Sequence, residues 1–228
     1  MSAPAPGAPR AILFDWDNTL VDNWSTIADS MNAVFAAFEM PLWSLAETKA
    51  RTRASLRDSF PRMFGERSKE AGRIFSDYFA SRHLEELKEM PGAGDLLRSL
   101  KASGVYLGIV SNKRGRFLRM EADQLGWTGH FNRLVGAADA PEDKPAIAPV
   151  ELALAGSGIL RGPDVWFVGD TDIDLECAVN AGCLPVLLRR EAPEEGEFAK
   201  HRPSLHFSDC TALGSRLAEA GVLPVPIL

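Results

Sequence analysis

Two acids one residue apart, Asp15 and Asp17, follow the apolar run Ala11-Ile12-Leu13-Phe14 and precede Asn18 and Thr19. A buried strand that delivers two carboxylates sets like charges where each makes the other harder to ionise unless a cation compensates. Such a pair suits a hard-metal site in which one acid attacks and the other moves protons. It also suits an ordinary acidic turn, because Asp, Asn and Thr are common turn formers. Three further signals lie after other apolar runs. Ser111-Asn112-Lys113 follows Leu107-Gly108-Ile109-Val110, and Lys144-Pro145 leads into a helix expected from about Ile147. Gly169-Asp170-Thr171-Asp172-Ile173-Asp174 follows Val165-Trp166-Phe167-Val168. Taken singly, these are a turn, a loop pair and an acidic helix N-terminus favoured by the helix dipole. Together, and in this order at strand ends, they suit phosphoryl transfer. Magnesium takes oxygen ligands and keeps several waters, so a few groups such as Asp15 and Asp170 suffice. The Ser111 hydroxyl, backbone amides and the Lys144 ammonium suit phosphoryl oxygens. A carboxylate can serve as the nucleophile and become an aspartyl-phosphate.

The elements that must position these groups alternate. Strands are predicted at Ala11–Asp15, Val105–Val110, Arg133–Gly136, Val165–Val168 and Leu184–Leu188, with a short one near Leu205–Phe207. Helices are predicted at Gly94–Ser103, Arg114–Leu125, Ile147–Ala155 and Asp174–Ala181. Nearly all-apolar strands separated by helices predict an α/β fold: a Rossmann-like parallel sheet covered on both faces. In such a sheet, ligands bind beyond the carboxyl ends of the strands where strand order reverses. That placement lets distant motifs converge.

From about Asn23 to Met90 no strand is expected. Ile27, Met31, Val34, Phe35 and Phe38 fall at helical spacing, as do Ile74, Phe75, Tyr78 and Phe79. Pro41 and Pro61 punctuate this stretch, and the turn Pro91-Gly92-Ala93-Gly94 restarts the alternation. The expected organisation is a leader over 1–9, an α/β core from 10–22 and 91–228, and a helical insert over 23–90.

With 228 residues, 46% of them apolar and 25% charged, the chain can bury a full core and is not globally disordered. A net charge of −6 without a basic stripe argues against nucleic acid as partner. No apolar run is long enough to span a bilayer. Met1–Pro9 lacks the basic start and apolar stretch of a signal peptide. Three cysteines (Cys177, Cys183, Cys210) without metal spacing suit a reducing cytoplasm. His83, His130, His201 and His206 stand singly, as surface or packing residues. Residues 51 to 73 carry seven Lys/Arg against three Asp/Glu. This is a solvated helix face or a surface for an anionic ligand. The apolar tail Val222–Leu228 is expected to dock on its own core, and oligomeric state is not legible.

Over Ala11 to Cys210 the motifs resemble the haloacid dehalogenase superfamily, in its phosphatase branch near the phosphoglycolate phosphatases. Ile12 to Asp22 is similar to that family's first motif, Ser111-Asn112-Lys113 to the second, Lys144-Pro145 to the third and Gly169 to Asp174 to the fourth. The insert falls where the family places a small helical cap. The resemblance implies that Asp15 is nucleophile and metal ligand. Asp17 would be the general acid/base and bind Mg2+ through its backbone carbonyl. Thr19 would orient the Asp17 loop within the phosphate-binding set, while Ser111, the Asn112 amide and Lys144 hold the phosphoryl oxygens. Asp170 would complete the metal site, with Asp174 bracing it. Asn18 stands where the family usually has Gly, and Asn tolerates left-handed backbone.

The implied reaction is Mg2+-dependent hydrolysis of a small phosphorylated metabolite, with the cap selecting the substrate and the basic 51–73 segment suiting a second anionic group. A hexose-phosphate mutase would keep all four motifs, although the His such enzymes carry after the first motif is lacking at Asn23-Trp24-Ser25. A non-enzymatic binding or regulatory module is the remaining alternative. It would be free to lose an acid, and none is lost here.

Overall fold

The structure is a computed structural model that describes residues 7–52 and 54–224. Residues 1–6 of the expected leader, Arg53 of the basic segment and residues 225–228 of the apolar tail lie outside the described residues. Eight strands run in chain order: β1 (Ala11–Phe14), β2 (Val21–Asp22), β3 (Lys88–Glu89), β4 (Tyr106–Arg114), β5 (Arg133–Ala137), β6 (Val165–Gly169), β7 (Leu184–Leu188) and β8 (Leu205–Phe207). Six of them form one parallel sheet in the order β5-β4-β1-β6-β7-β8. The chain steps outward from β1 to β5, then returns to β6 on the other side of β1 and steps outward again. Strand order therefore reverses between β1 and β6, which opens a crevice beyond their carboxyl ends.

Alternation along β1 assigns the two faces. Ile12 and Phe14 join a cluster with Leu96, Leu97 and Leu100 of α5 (Ala93–Ser103), Leu118 of α6 (Gly115–Gln124), and Leu213 and Leu217 of α9 (Cys210–Glu219). Ala11 and Leu13 face the opposite cluster, with Val150 and Ala153 of α7 (Ala148–Leu154) and Cys177 and Ala178 of α8 (Asp172–Asn180). Both faces are thus buried, which is why these strands read as unbroken apolar runs. Leu223 is buried in the first cluster with Val222 against it, so the described start of the tail packs on its own core.

Between β2 and β3 the described residues form four α-helices, α1 (Trp24–Ala37), α2 (Leu45–Arg51), α3 (Leu56–Phe64) and α4 (Ser68–Arg82), with a 3-10 turn at Gly65–Arg67. Their apolar stripes converge on a third cluster that includes Met31, Val34, Phe35, Phe60, Phe64, Phe75 and Phe79, together with Phe117 of α6. Two details depart from the sequence expectation. Pro61 lies inside α3 rather than at its end. A strand does occur in the stretch expected to be strand-free: Lys88 and Glu89 pair antiparallel with Asp22 and Val21, tying the insert's two connections together. Two residues of mixed polarity give no alternation to read. Gly92 (φ 78°) then turns the chain into α5.

Candidate active site

The register of the sheet builds the site. Phe14 pairs with Ile109 on β4 and with Val168 on β6, and the Asp15 amide donates to the Val168 carbonyl at 2.8 Å. The residues that follow these pairs, Asp15 and Gly169-Asp170, therefore emerge at one level, with Ser111 close by on β4. β4 does not stop at Val110 as expected. It continues to Arg114 with a register shift against β5, so Ser111, Asn112 and Lys113 sit on an irregular strand end rather than in a turn. Lys144 arrives from the loop before α7, where the Asn112 side chain clamps its backbone: Nδ2 donates to the Lys144 carbonyl at 3.2 Å, and the Lys144 amide donates to Oδ1 at 3.0 Å.

Lys144 is 2% exposed, and its ammonium donates to Asp15 Oδ1 at 2.6 Å and to Asp174 Oδ1 at 2.7 Å. Asp174 Oδ2 accepts from the Thr171 amide at 3.1 Å and from its hydroxyl at 2.8 Å, closing the first turn of α8. α8 begins at Asp172, two residues before its expected start. Gly169 is required where β6 meets α8, because a Cβ there would collide with the Asp174 side chain. Carboxylate oxygens of Asp15, Asp170 and Asp174 all lie within 4.8 Å of one another, and Thr19 Oγ1 reaches Asp170 at 3.4 Å. Asn18 takes the left-handed backbone at φ 63°.

The electrostatics follow from this crowding. Burial lifts the Asp15 pKa to about 7, with Lys144 pulling it down and Asp174 and Asp17 adding to the rise. Burial, then Asp174 and Asp15, push Asp170 well above the usual carboxylate range against Lys144. Burial opposes the Lys144 ammonium, but Asp15 and Asp174 more than offset it and raise its pKa. Asp15 and Asp170, whose ionisation is opposed by burial, crowd with Asp174 into a set of hard-oxygen donors of the kind that a divalent cation relieves. The cluster fits such an ion.

The Asp17 carboxylate points elsewhere. It accepts from Lys113 Nζ at 2.8 Å and from Asn23 Nδ2 at 2.7 Å. Lys113 also contacts Glu121 Oε1 at 2.9 Å, and Glu121, fully buried on α6, takes a 2.7 Å bond from Trp16 Nε1 and lies 2.8 Å from His83 Nδ1. Burial raises the Asp17 pKa, with Lys113 opposing and Glu121 reinforcing. For Glu121, burial is outweighed by Lys113 and by hydrogen bonds from His83, Lys113 and Trp16, so its pKa falls. Sequence reasoning missed Lys113, Glu121 and Asn23 as site residues. Lys113 was visible in the second motif, whereas Glu121 sits in an amphipathic pattern with no mark of its partners. His83 is a packing residue, stacked on Phe79 at 5.0 Å, but a partnered one.

A cavity of about 130 Å³ opens on Asp15, Asp17, Ser111, Lys144 and Asp170 and is roofed by Trp24, Ile27, Leu56, Phe75 and Phe79 of the insert. Thr52 Oγ1, buried in this lining, has no hydrogen-bond partner among the described residues. From the basic segment the lining takes Thr52, Ala54 and Leu56, but none of its described arginines. Arg51, Arg67 and Arg73 pair with Glu47, Glu70 and Asp77, and Arg57 pairs with Asp143 at 2.9 Å. Among the described residues, no helix is long and apolar enough to cross a membrane.

Residues 12–187 match the family model described as haloacid dehalogenase-like hydrolase. Phosphoglycolate phosphatase 1 of Pseudomonas aeruginosa is 30% identical over 208 residues, covering 86% of this chain and 75% of the relative. Phosphoglycolate phosphatase of Pasteurella multocida is 29% identical over 219 residues, covering 88% and 94%. A solved superfamily hydrolase from Ehrlichia chaffeensis superposes with a TM-score of 0.65 at 26% identity, covering 94% of this chain and 98% of that one.

Proposed function

Because the chain belongs to the haloacid dehalogenase-like hydrolase family and is a phosphatase, we propose that it hydrolyses a small phosphorylated metabolite by way of a phosphoryl group carried on Asp15. The observation that carries this reading is the meeting of Asp15, Asp170, Asp174 and Lys144 at the reversal of strand order. In the first step an Asp15 oxygen forms a bond to phosphorus as the ester P–O bond breaks. Asp17, protonated, gives its proton to the departing oxygen. In the second, Asp17 takes a proton from water, whose oxygen attacks phosphorus and frees Asp15 and inorganic phosphate. Ser111, the Asn112 amide and Lys144 hold the phosphoryl oxygens through both steps. The Asp15 and Asp170 carboxylates and the Asp17 backbone carbonyl would hold Mg2+, braced by Asp174. When bound, the ion supplies charge that keeps Asp15 ionised and stabilises the transferring group.

We read residues 23–90 as a cap over an α/β core. Its apolar roof excludes water, and the small cavity favours a compact ester such as phosphoglycolate, the compound that appears in the relatives' names. The buried free cysteines support a reducing cytoplasm as its compartment. The test is release of phosphate from a generic aryl phosphate and from a panel of phosphorylated metabolites, with and without Mg2+. Wild type should turn over only with the metal, and Asp15→Asn should lose at least about a thousandfold, the scale of losing a nucleophile. Equal rates in both proteins would end the Asp15 mechanism, and interconversion of hexose phosphates without phosphate release would favour a mutase.

A further inference from the structure

Glu121 is the centre of a closed set of hydrogen bonds. Its Oε1 accepts from His83 Nδ1 at 2.8 Å and from Lys113 Nζ at 2.9 Å. Its Oε2 accepts from Trp16 Nε1 at 2.7 Å and from Asn23 Nδ2 at 3.4 Å. Two of these donors also reach Asp17, Lys113 Nζ at 2.8 Å and Asn23 Nδ2 at 2.7 Å. The two carboxylates are therefore bridged twice, once by an ammonium and once by an amide. Both bridges fall on a single Asp17 oxygen, Oδ1. Oδ2 has no hydrogen-bond partner among the described residues, and Asp17 lines the catalytic cavity.

His83 is the insert's entry into this set. It is the first residue beyond α4 and fully buried, with its ring stacked on Phe79 at 5.0 Å and edge-on to Phe117 at 4.9 Å. An ionised Glu121 only accepts, so Nδ1 carries the hydrogen. Nε2 is buried without a hydrogen-bond partner among the described residues. A phenyl ring would fill the same slot between two phenylalanines and leave no nitrogen unsatisfied. It could not donate to Glu121. Phe79, one turn earlier on α4, offers its ring to the Lys113 ammonium at 4.4 Å. The end of the insert thus fixes that ammonium twice, directly through Phe79 and by way of His83 through Glu121. Burying a lysine with two carboxylates gains little stability over an apolar filling of the same shape. What the cluster gains is the place of Asp17.

We propose that His83 is a positioning residue for the proton step at Asp17. Its hydrogen bond fixes Glu121, Glu121 fixes Lys113, and Lys113 with Asn23 pins Asp17 Oδ1, which leaves Oδ2 to carry the proton. In that step the Oδ2–H bond breaks. The ester oxygen takes the proton and keeps the electron pair of its breaking bond to phosphorus. The inference rests on the phosphatase reading. It goes further by bringing into the reaction a residue of the insert that lies outside the four motifs and the cavity lining.

The test uses two esters with Mg2+ present. One is an aryl phosphate whose nitrophenolate leaves without a proton, and the other is the best alkyl phosphate of the metabolite panel, whose alkoxide needs one. The quantity read is kcat/KM, which covers the steps up to departure of the leaving group. His83→Phe keeps a ring and removes the donor. It should lower kcat/KM about tenfold or more for the alkyl ester and less than about twofold for the aryl ester. His83→Asn loses the ring but returns an amide nitrogen to the place of Nδ1. It should keep the alkyl-to-aryl ratio within about threefold of wild type. His83→Leu, which also fills space without a donor, serves if His83→Phe does not fold. A packing role predicts the reverse, a near-normal His83→Phe and a His83→Asn defect that falls on both esters alike. That reverse order, an unchanged ratio in the donor-free variants, or a ratio that His83→Asn fails to restore overturns the proposal and leaves the phosphatase reading standing. A wild type that releases phosphate from neither ester removes the phosphatase reading, and this inference with it.

Discussion

Asp15 is held between burial, which lifts its pKa to about 7, and the ordinary value of 3.8 that it regains in the unfolded chain. Between those values the native metal-free protein binds more protons than the unfolded one. Its stability contribution is therefore lost as pH rises from about 4 to 7, and the loss is complete above that. Asp170, shifted the same way, adds to the trend. The melting temperature of metal-free protein should fall between pH 4.5 and pH 7.5. At pH 7.5, Mg2+ at a hundred times its Kd should restore about 2.7 kcal/mol, or roughly 5–10 °C. Asp170→Asn should raise the metal-free value yet lose most of the magnesium increment. Differential scanning fluorimetry reads both, and a full increment in Asp170→Asn would refute the cation site. Glu121 invites a second experiment, because it anchors the ammonium that touches Asp17. Glu121→Gln keeps the shape but removes the charge. It should cost about 2–3 kcal/mol in urea unfolding and lower kcat about tenfold with little change in KM. A normal kcat in a destabilised protein would make Glu121 structural only.

At the scale of elements, the junction of β6 and α8 shows how backbone chemistry sets the site. Gly169 lets the Asp174 side chain fold back against the strand end, where it holds both Lys144 and Thr171. Gly169→Ala should displace Asp174 and lower kcat/KM by about a hundredfold, with circular dichroism close to wild type. A loss under about threefold would show that the turn yields without moving Asp174. The four inner strands β1, β4, β6 and β7 were legible because they are buried on both faces, so their apolar runs break near the ends, whereas the edge strands β5 and β8 are only partly buried. The acids Asp15 and Asp170 at those tips were legible for the same reason, since polar groups directly after buried strands stand out, whereas Lys144 lies in the loop before α7. Less visible was anything fixed by pairing alone. Nothing in Lys88-Glu89 announces a strand, which exists because Val21-Asp22 lies alongside. The extension of β4 through Ser111-Asn112-Lys113 depends on β5 and a register shift, and polar residues mask it. Glu121 on α6 and His83, just past the end of α4, lie 38 residues apart, and helical periodicity carries no record of such a pair.

For the whole molecule, the insert packs its apolar cluster against Phe117 of α6 and is tied to the core at several places, among them the β2–β3 pair, the His83–Glu121 contact and the ion pair between Arg57 and Asp143. The third tie acts at the site itself, because Asp143 immediately precedes Lys144 in the loop clamped by Asn112. Asp143 is buried, its Oδ1 accepts from the Ala138 amide at 2.9 Å, and Arg57 is its only cation among the described residues. Without Arg57 the carboxylate stays buried and uncompensated, which is more costly than losing a surface pair. The charge also pins α3 against the loop, so that roof and phosphoryl site form together. Arg57→Gln should raise KM about five- to tenfold with a smaller change in kcat, since it loosens the roof and leaves the reacting groups in place. Hydrogen exchange should accelerate across α2 to α4 and not across the central strands. Adding Asp143→Asn removes the stranded charge and should recover part of the lost stability without recovering KM. If Arg57→Gln leaves KM and exchange as they were, insert and core are held by their other contacts, and the ion pair has no part in closing the cavity.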